Sequence, residues 1–155
     1  MGDEAGAAAE GKRARELDPT LITTFTILGL ERVTSGKLAQ AREIVGHTNP
    51  PIPFNGMTAN ILQRAGDVMR AAELRRQLDE APDSTWMIHT GRMFAALATD
   101  TARALSELEA AFVKDEDIAQ WVPFSDAMYD PIRGSTRFAN VIRRAGLEGR
   151  SFERP

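Results

Sequence analysis

Three features of the chain predict an all-α solenoid of stacked antiparallel helix pairs. Apolar residues recur at helical spacing in the long segments, as in Ala104-Leu105-x-x-Leu108-x-x-Ala111-Phe112, and no segment shows the sustained alternation of a half-buried strand. Breaks recur as well: Gly2, Gly36, Gly66 and Thr99 stand 34, 30 and 33 residues apart. A small residue follows each break by five positions, at Ala7, Ala41, Ala71 and Ala104, and proline follows the second helix of three units at Pro19, Pro53 and Pro82. Two short helices joined at a break share an apolar face that neither can bury alone. Similar neighbours must cover it, so the expected architecture is a stack.

The elements follow in order. Gly2 to Leu17 is rich in Ala and Glu, offers Ala7, Ala14 and Leu17 for burial, and is stopped by Asp18-Pro19. Gly6 and Gly11 weaken this helix by roughly 1 kcal/mol each relative to alanine. Thr20 or Thr24 caps the next helix, the most apolar of the chain, which carries Leu21, Ile22, Phe25, Ile27, Leu28 and Leu30 and ends at Thr34-Ser35-Gly36. Lys37 to Val45 is a shorter helix with Leu38, Ala41 and Ile44 or Val45 inward, and the proline-rich connector His47 to Phe54 is non-helical. Phe54 to Leu78 is a helix pair broken at Gly66-Asp67, with Ile61, Leu62 and Ala65 forming one stripe and Ala71, Leu74 and Leu78 the other. Ser84 or Thr85 caps a helix from Trp86 to Ala98, Thr99-Asp100 breaks it, and Thr101 to Phe112 is strongly amphipathic before the solvated acidic run Asp115-Glu116-Asp117. Ile118 to Val122 reads as one helical turn, Pro123 to Pro131 as irregular, and Ser135 to Ala145 as a last helix with Phe138, Val141 and Ile142 inward, stopped at Gly146.

The chain is thus expected to be one domain: a partial repeat or N-terminal helix over 1–19, repeats over 20–53, 54–83 and 84–114, a C-terminal cap over 115–147 and a loose tail over 148–155. Its 155 residues, 43% hydrophobic and 26% charged, suit a globular fold, and a net charge of −3 argues against a strongly basic nucleic-acid binder. Six arginines near the end, Arg133, Arg137, Arg143, Arg144, Arg150 and Arg154, read as a solvated cap favoured by the helix dipole. Cysteine is absent, which excludes disulfides and thiolate chemistry. There is no apolar run of membrane-spanning length and no secretory leader pattern, so the expected location is cytoplasmic.

The period near 34, the helix-turn-helix unit, the small residue in the second helix and the terminal proline together resemble the tetratricopeptide repeat. Gly29, seven residues before Gly36, matches the close-packing glycine of that repeat's first helix, Ala59 stands there in the next unit, and Arg92 with Gly91 beside it in the third. The resemblance covers about Gly2 to Phe112 and implies a right-handed α-solenoid. Tyr129-Asp-Pro-Ile-Arg-Gly-Ser-Thr-Arg-Phe138 and Val141 to Leu147 look like the closing segment of arrays attached to multidomain bacterial regulators. Gly2-Asp3 falls where the turn inside a unit belongs, so the chain reads as the C-terminal part of a longer protein, or else residues 4 to 17 are an N-terminal cap. Pairing of that helix with a second copy is one expected mode of self-association.

No catalytic constellation is apparent. Neither His47 nor His89 is followed at i+3 or i+4 by a second His or a carboxylate in a ligand pattern, the serines stand at helix starts and turns, and no phosphate-binding glycine pattern follows a strand, so neither a metal, a cofactor nor an enzymatic activity is expected. What remains is the concave surface lined by the first helices. Counting back from each break places Thr26, Leu30, Asn60, Arg64, Trp86, His89 and Met93 there. Asn60 suits an extended peptide backbone, Arg64 a carboxylate, and Trp86 with Met93 an adaptable apolar contact. Threonines and Leu30 stand where the chaperone-binding members of the family need lysine and asparagine, which disfavours that ligand. The expected function is a protein- or peptide-binding scaffold in a larger bacterial regulatory protein. The alternatives are a small-molecule sensor or enzyme using a pocket near Trp86, His89 and Met93, and a structural or dimerisation spacer.

Overall fold

Each helix pair is reversed by a turn written into the backbone. At Gly66 the chain takes φ +85°, and the amides of Gly66 and Asp67 reach back to the carbonyls of Gln63 (3.3 Å) and Leu62 (2.9 Å), the two bonds that close a helix through a left-handed residue. Gly36 repeats this geometry at φ +75°. Nothing lies within 4 Å of a Cβ built on Gly66, so Gly66→Ala tests backbone strain alone. It is expected to cost about 1 kcal/mol, read as a lower urea midpoint at unchanged m-value.

The computed structural model describes residues 4–17, 22–115 and 127–147. Among these are α1 (Glu4–Leu17), α2 (Ile22–Thr34), α3 (Leu38–Gly46), α4 (Asn55–Arg64), α5 (Val68–Glu80), α6 (Trp86–Ala96), α7 (Thr101–Lys114), α8 (Asp130–Arg133) and α9 (Thr136–Arg144). The described residues contain no strand, and none of their helices is long and apolar enough to cross a membrane. Asp67, Asp100 and Ser135 cap α5, α7 and α9 by accepting from the amides of Arg70, Arg103 and Phe138, whereas Thr85 precedes α6 without such a bond. The third break uses no left-handed residue; α6 stops at Ala96, whose carbonyl takes the Asp100 amide at 2.7 Å.

The pairs α2/α3, α4/α5 and α6/α7 pack internally, and each first helix also packs against the next: α2 on α4, and α4 on α6. One apolar cluster joins Val33, Ala41, Val45, Ile61, Leu74 and Leu78 across α2 to α5; the other joins Phe94, Leu108, Phe112, Tyr129, Phe138 and Ile142 across α6 to α9. Tyr129 is fully buried, its ring edge-on to Phe94 at 5.9 Å and tilted against Phe138 at 6.1 Å, so the closing segment seals the last pair through aromatic packing.

Several local expectations need correction. Ile52–Phe54 is a 3-10 turn inside the connector expected to be non-helical, and Ala127–Tyr129 and Asp130–Arg133 are helical where an irregular segment was expected, with Pro131 tolerated in the first turn of α8. Arg137 does not simply face water: its Nε and Nη2 donate to Glu109 at 2.9 and 2.7 Å, tying α9 to α7. The candidate cap Thr20, the turn expected over Ile118 to Val122, residues 123–126 of the segment expected to be irregular, and the tail 148–155 lie outside the described residues.

Candidate functional site

The first helices of the three pairs, α2, α4 and α6, lie side by side, and their spacing decides which side chains reach the surface. Between α4 and α6 the backbones nearly touch: a Cβ on Gly56 would sit 1.9 Å from the Gly91 carbonyl oxygen, and one on Gly91 2.6 Å from that of Pro53. Glycine at both positions permits this approach. The residues flanking the contact are correspondingly sunk.

Asn60 is 1% exposed, and its Nδ2 donates to the Phe94 carbonyl at 2.9 Å, bridging α4 to α6. Thr26 is buried, Met93 is completely enclosed, and buried His89 donates from Nδ1 to Glu107 Oε2 at 2.8 Å, joining α6 to α7. Leu30 and Trp86 are partly buried, and Arg64 is exposed at the end of α4. The structure therefore divides the seven sequence-derived positions: Leu30, Arg64 and Trp86 present surface, and Thr26, Asn60, His89 and Met93 belong mainly to the interior.

One surface residue was missed. Met57 is partly buried and packs, with Leu30 and Trp86, against the cluster built around Phe94 and Tyr129. Its signal was present in the chain: Met57 stands nine residues before Gly66, as Ile27, which is 52% exposed, stands nine before Gly36. Leu30, Met57 and Trp86 thus give each of the three first helices one partly exposed apolar side chain.

The interior placement of Asn60 makes a stability prediction. Asn60→Ala removes the α4–α6 bond from a closed site and is expected to cost about 1–2 kcal/mol in chemical denaturation. An unchanged midpoint would place the side chain outside the joint.

A charged cleft of about 270 Å³ lies between α5 and the α6/α7 pair, lined by Arg75, Asp79, Arg92, Asp100 and Arg103 among others. Its guanidinium groups are already engaged. Arg75 donates to Gln63 at 2.9 Å, Arg103 pairs with Asp79, and Arg92 donates to the carbonyls of Leu78 (2.9 Å) and Ala81 (2.7 Å) and to Asp83. Asp79 holds the Arg103 guanidinium above its ordinary pKa. The cleft is a polar joint between helix pairs. Among the described residues, no group of three His, Cys, Asp or Glu side chains could hold a metal ion. No family model, curated protein or solved structure matches this chain.

Proposed function

We propose that the chain is a protein- or peptide-binding module, its helix pairs arranged as a tetratricopeptide-like right-handed solenoid with a closing cap. The observation that carries this reading is the apolar set Leu30, Met57 and Trp86, one residue from each successive first helix, packed on a common floor. Partly exposed leucine, methionine and tryptophan side chains suit an apolar peptide face, and methionine adapts its shape to what it meets. Arg64, exposed at the end of α4, adds a cation for a carboxylate on the bound segment.

Selection from a phage-displayed random peptide library, followed by titration monitored through Trp86 fluorescence, tests the proposal. Selected peptides are expected to quench or shift that emission, and Met57→Ser and Arg64→Ala each to weaken binding by about fivefold or more. Failure to select any peptide, or unchanged affinity in both variants, would remove the assignment.

A further inference from the structure

Apolar side chains stay exposed where α4 and α6 begin. Ile52 and Phe54, on the 3-10 turn that leads into α4, are 45% and 37% exposed, and Met87, in the first turn of α6, is 38% exposed. They stand together because that turn packs against α6. The Pro53 carbonyl oxygen would lie 2.6 Å from a Cβ built on Gly91, and Met87 precedes Gly91 by one turn on the same side of the helix.

The segments that build this edge are free of charge. No Lys, Arg, Asp or Glu occurs over residues 44–63 or 84–91, in a chain of which 26% is charged. The other ends of the same helices differ, since the breaks carry Lys37, Arg64, Asp67, Asp100 and Arg103. Pro50, Pro51 and Pro53 fix the backbone φ of the turn, so a contact made there has little freedom left to remove. Aromatic, methionine and aliphatic side chains without charge are the composition of an interface centre.

We propose that this edge is a self-association surface, on which a second copy of the chain packs about a two-fold axis through Ile52, Phe54 and Met87. In such a contact each residue near the axis meets its own counterpart, and a charge there would face a like charge. Ile52, Phe54 and Met87 meet themselves without that cost. Lys37 or Arg64, at the breaks, would not. The whole chain carries −3, so two copies repel elsewhere and approach with least opposition across the charge-free edge. Three apolar residues a side make a small contact, and the association is therefore reversible. This surface is separate from α1, the helix whose pairing the sequence suggested.

Sedimentation equilibrium of the full chain between about 10 and 500 μM, near neutral pH, tests this. A monomer–dimer equilibrium is expected, undiminished in about 1 M sodium chloride because no ion pair maintains it. Phe54→Asp and Met87→Asp should each raise the dissociation constant at least about tenfold with circular dichroism unchanged, and Phe54→Ser, which adds no charge, should raise it less. Leu17→Asp on α1 and Met69→Asp on α5, both at well-exposed apolar positions, should leave it unaltered. A monomer at every concentration, dissociation by salt, indifference to both Phe54→Asp and Met87→Asp, or a dimer abolished by Leu17→Asp would each overturn the proposal.

Discussion

Gly56→Ala is expected to be among the most damaging single-methyl additions to this protein. The added carbon would lie 1.9 Å from the Gly91 carbonyl oxygen, 2.6 Å from its carbonyl carbon and 2.8 Å from its Cα, so the obstruction is backbone and no rotamer change relieves it. Helices α4 and α6 would have to separate by more than an ångström. That movement stretches the Asn60–Phe94 bond and loosens the fully buried Ile61, Leu62 and Met93 around the joint. A cost of about 3 kcal/mol or more follows, or a thermal midpoint lowered by roughly 10 °C in a domain of this size. Gly46→Ala is the control, because the equivalent methyl there meets open space and the substitution favours the helix. Comparable midpoints for the two variants would show that α4 and α6 do not meet through bare backbone.

Arg92→Met should lose a similar amount by a different route. The Arg92 side chain is 9% exposed, and its three nitrogens serve the Leu78 and Ala81 carbonyls at the end of α5 and the Asp83 carboxylate beyond it. Methionine restores most of the packed volume and none of the donors, so the Ala81 carbonyl loses its guanidinium, the Leu78 carbonyl keeps only the Ala81 amide, and the exposed Asp83 carboxylate returns to water. The expected loss is about 3 kcal/mol in urea denaturation, with faster amide exchange at the end of α5. Lysine should recover little, since a single ammonium cannot reproduce three divergent contacts. The Arg92 guanidinium also holds the Asp83 carboxyl below its ordinary value. That pair's stabilisation is therefore present above the ordinary aspartate value and lost as the pH falls through the depressed one. Asp83→Asn should flatten the acid limb slightly and leave the neutral-pH fold intact.

Arg92 also shows where a sequence pattern stops being informative. Aligning the breaks puts it at the close-packing position occupied by Gly29 and Ala59, with Gly91 beside it. Both residues proved to belong to joints: Gly91 meets Gly56 and Pro53, and Arg92 reaches across to α5. Gly29 is tight as well, with Val45 and Ile61 side chains 2.8 and 3.1 Å from a Cβ built on it. The need for a small residue was thus legible at that level of the helix. A long cation filling the same level was not, because its partners come from a loop and a helix end whose positions no local spacing encodes.

The sequence by itself determined the longer helices from α2 to α7 and α9, their breaks at Gly36, Gly66 and Thr99-Asp100, and the inward stripe of Ala71, Leu74 and Leu78, which is buried, whereas Leu38, expected inward on α3, is 41% exposed. These depend on backbone dihedral preferences and on the 3.6-residue period, which act within one helix. Only the tertiary structure decided that Asn60, His89 and Met93 lie between helices while Met57 and Trp86 retain surface. A periodic pattern says which way a side chain points, whereas its depth depends on how closely the next helix approaches, and here that distance is set by two glycines in different helix pairs.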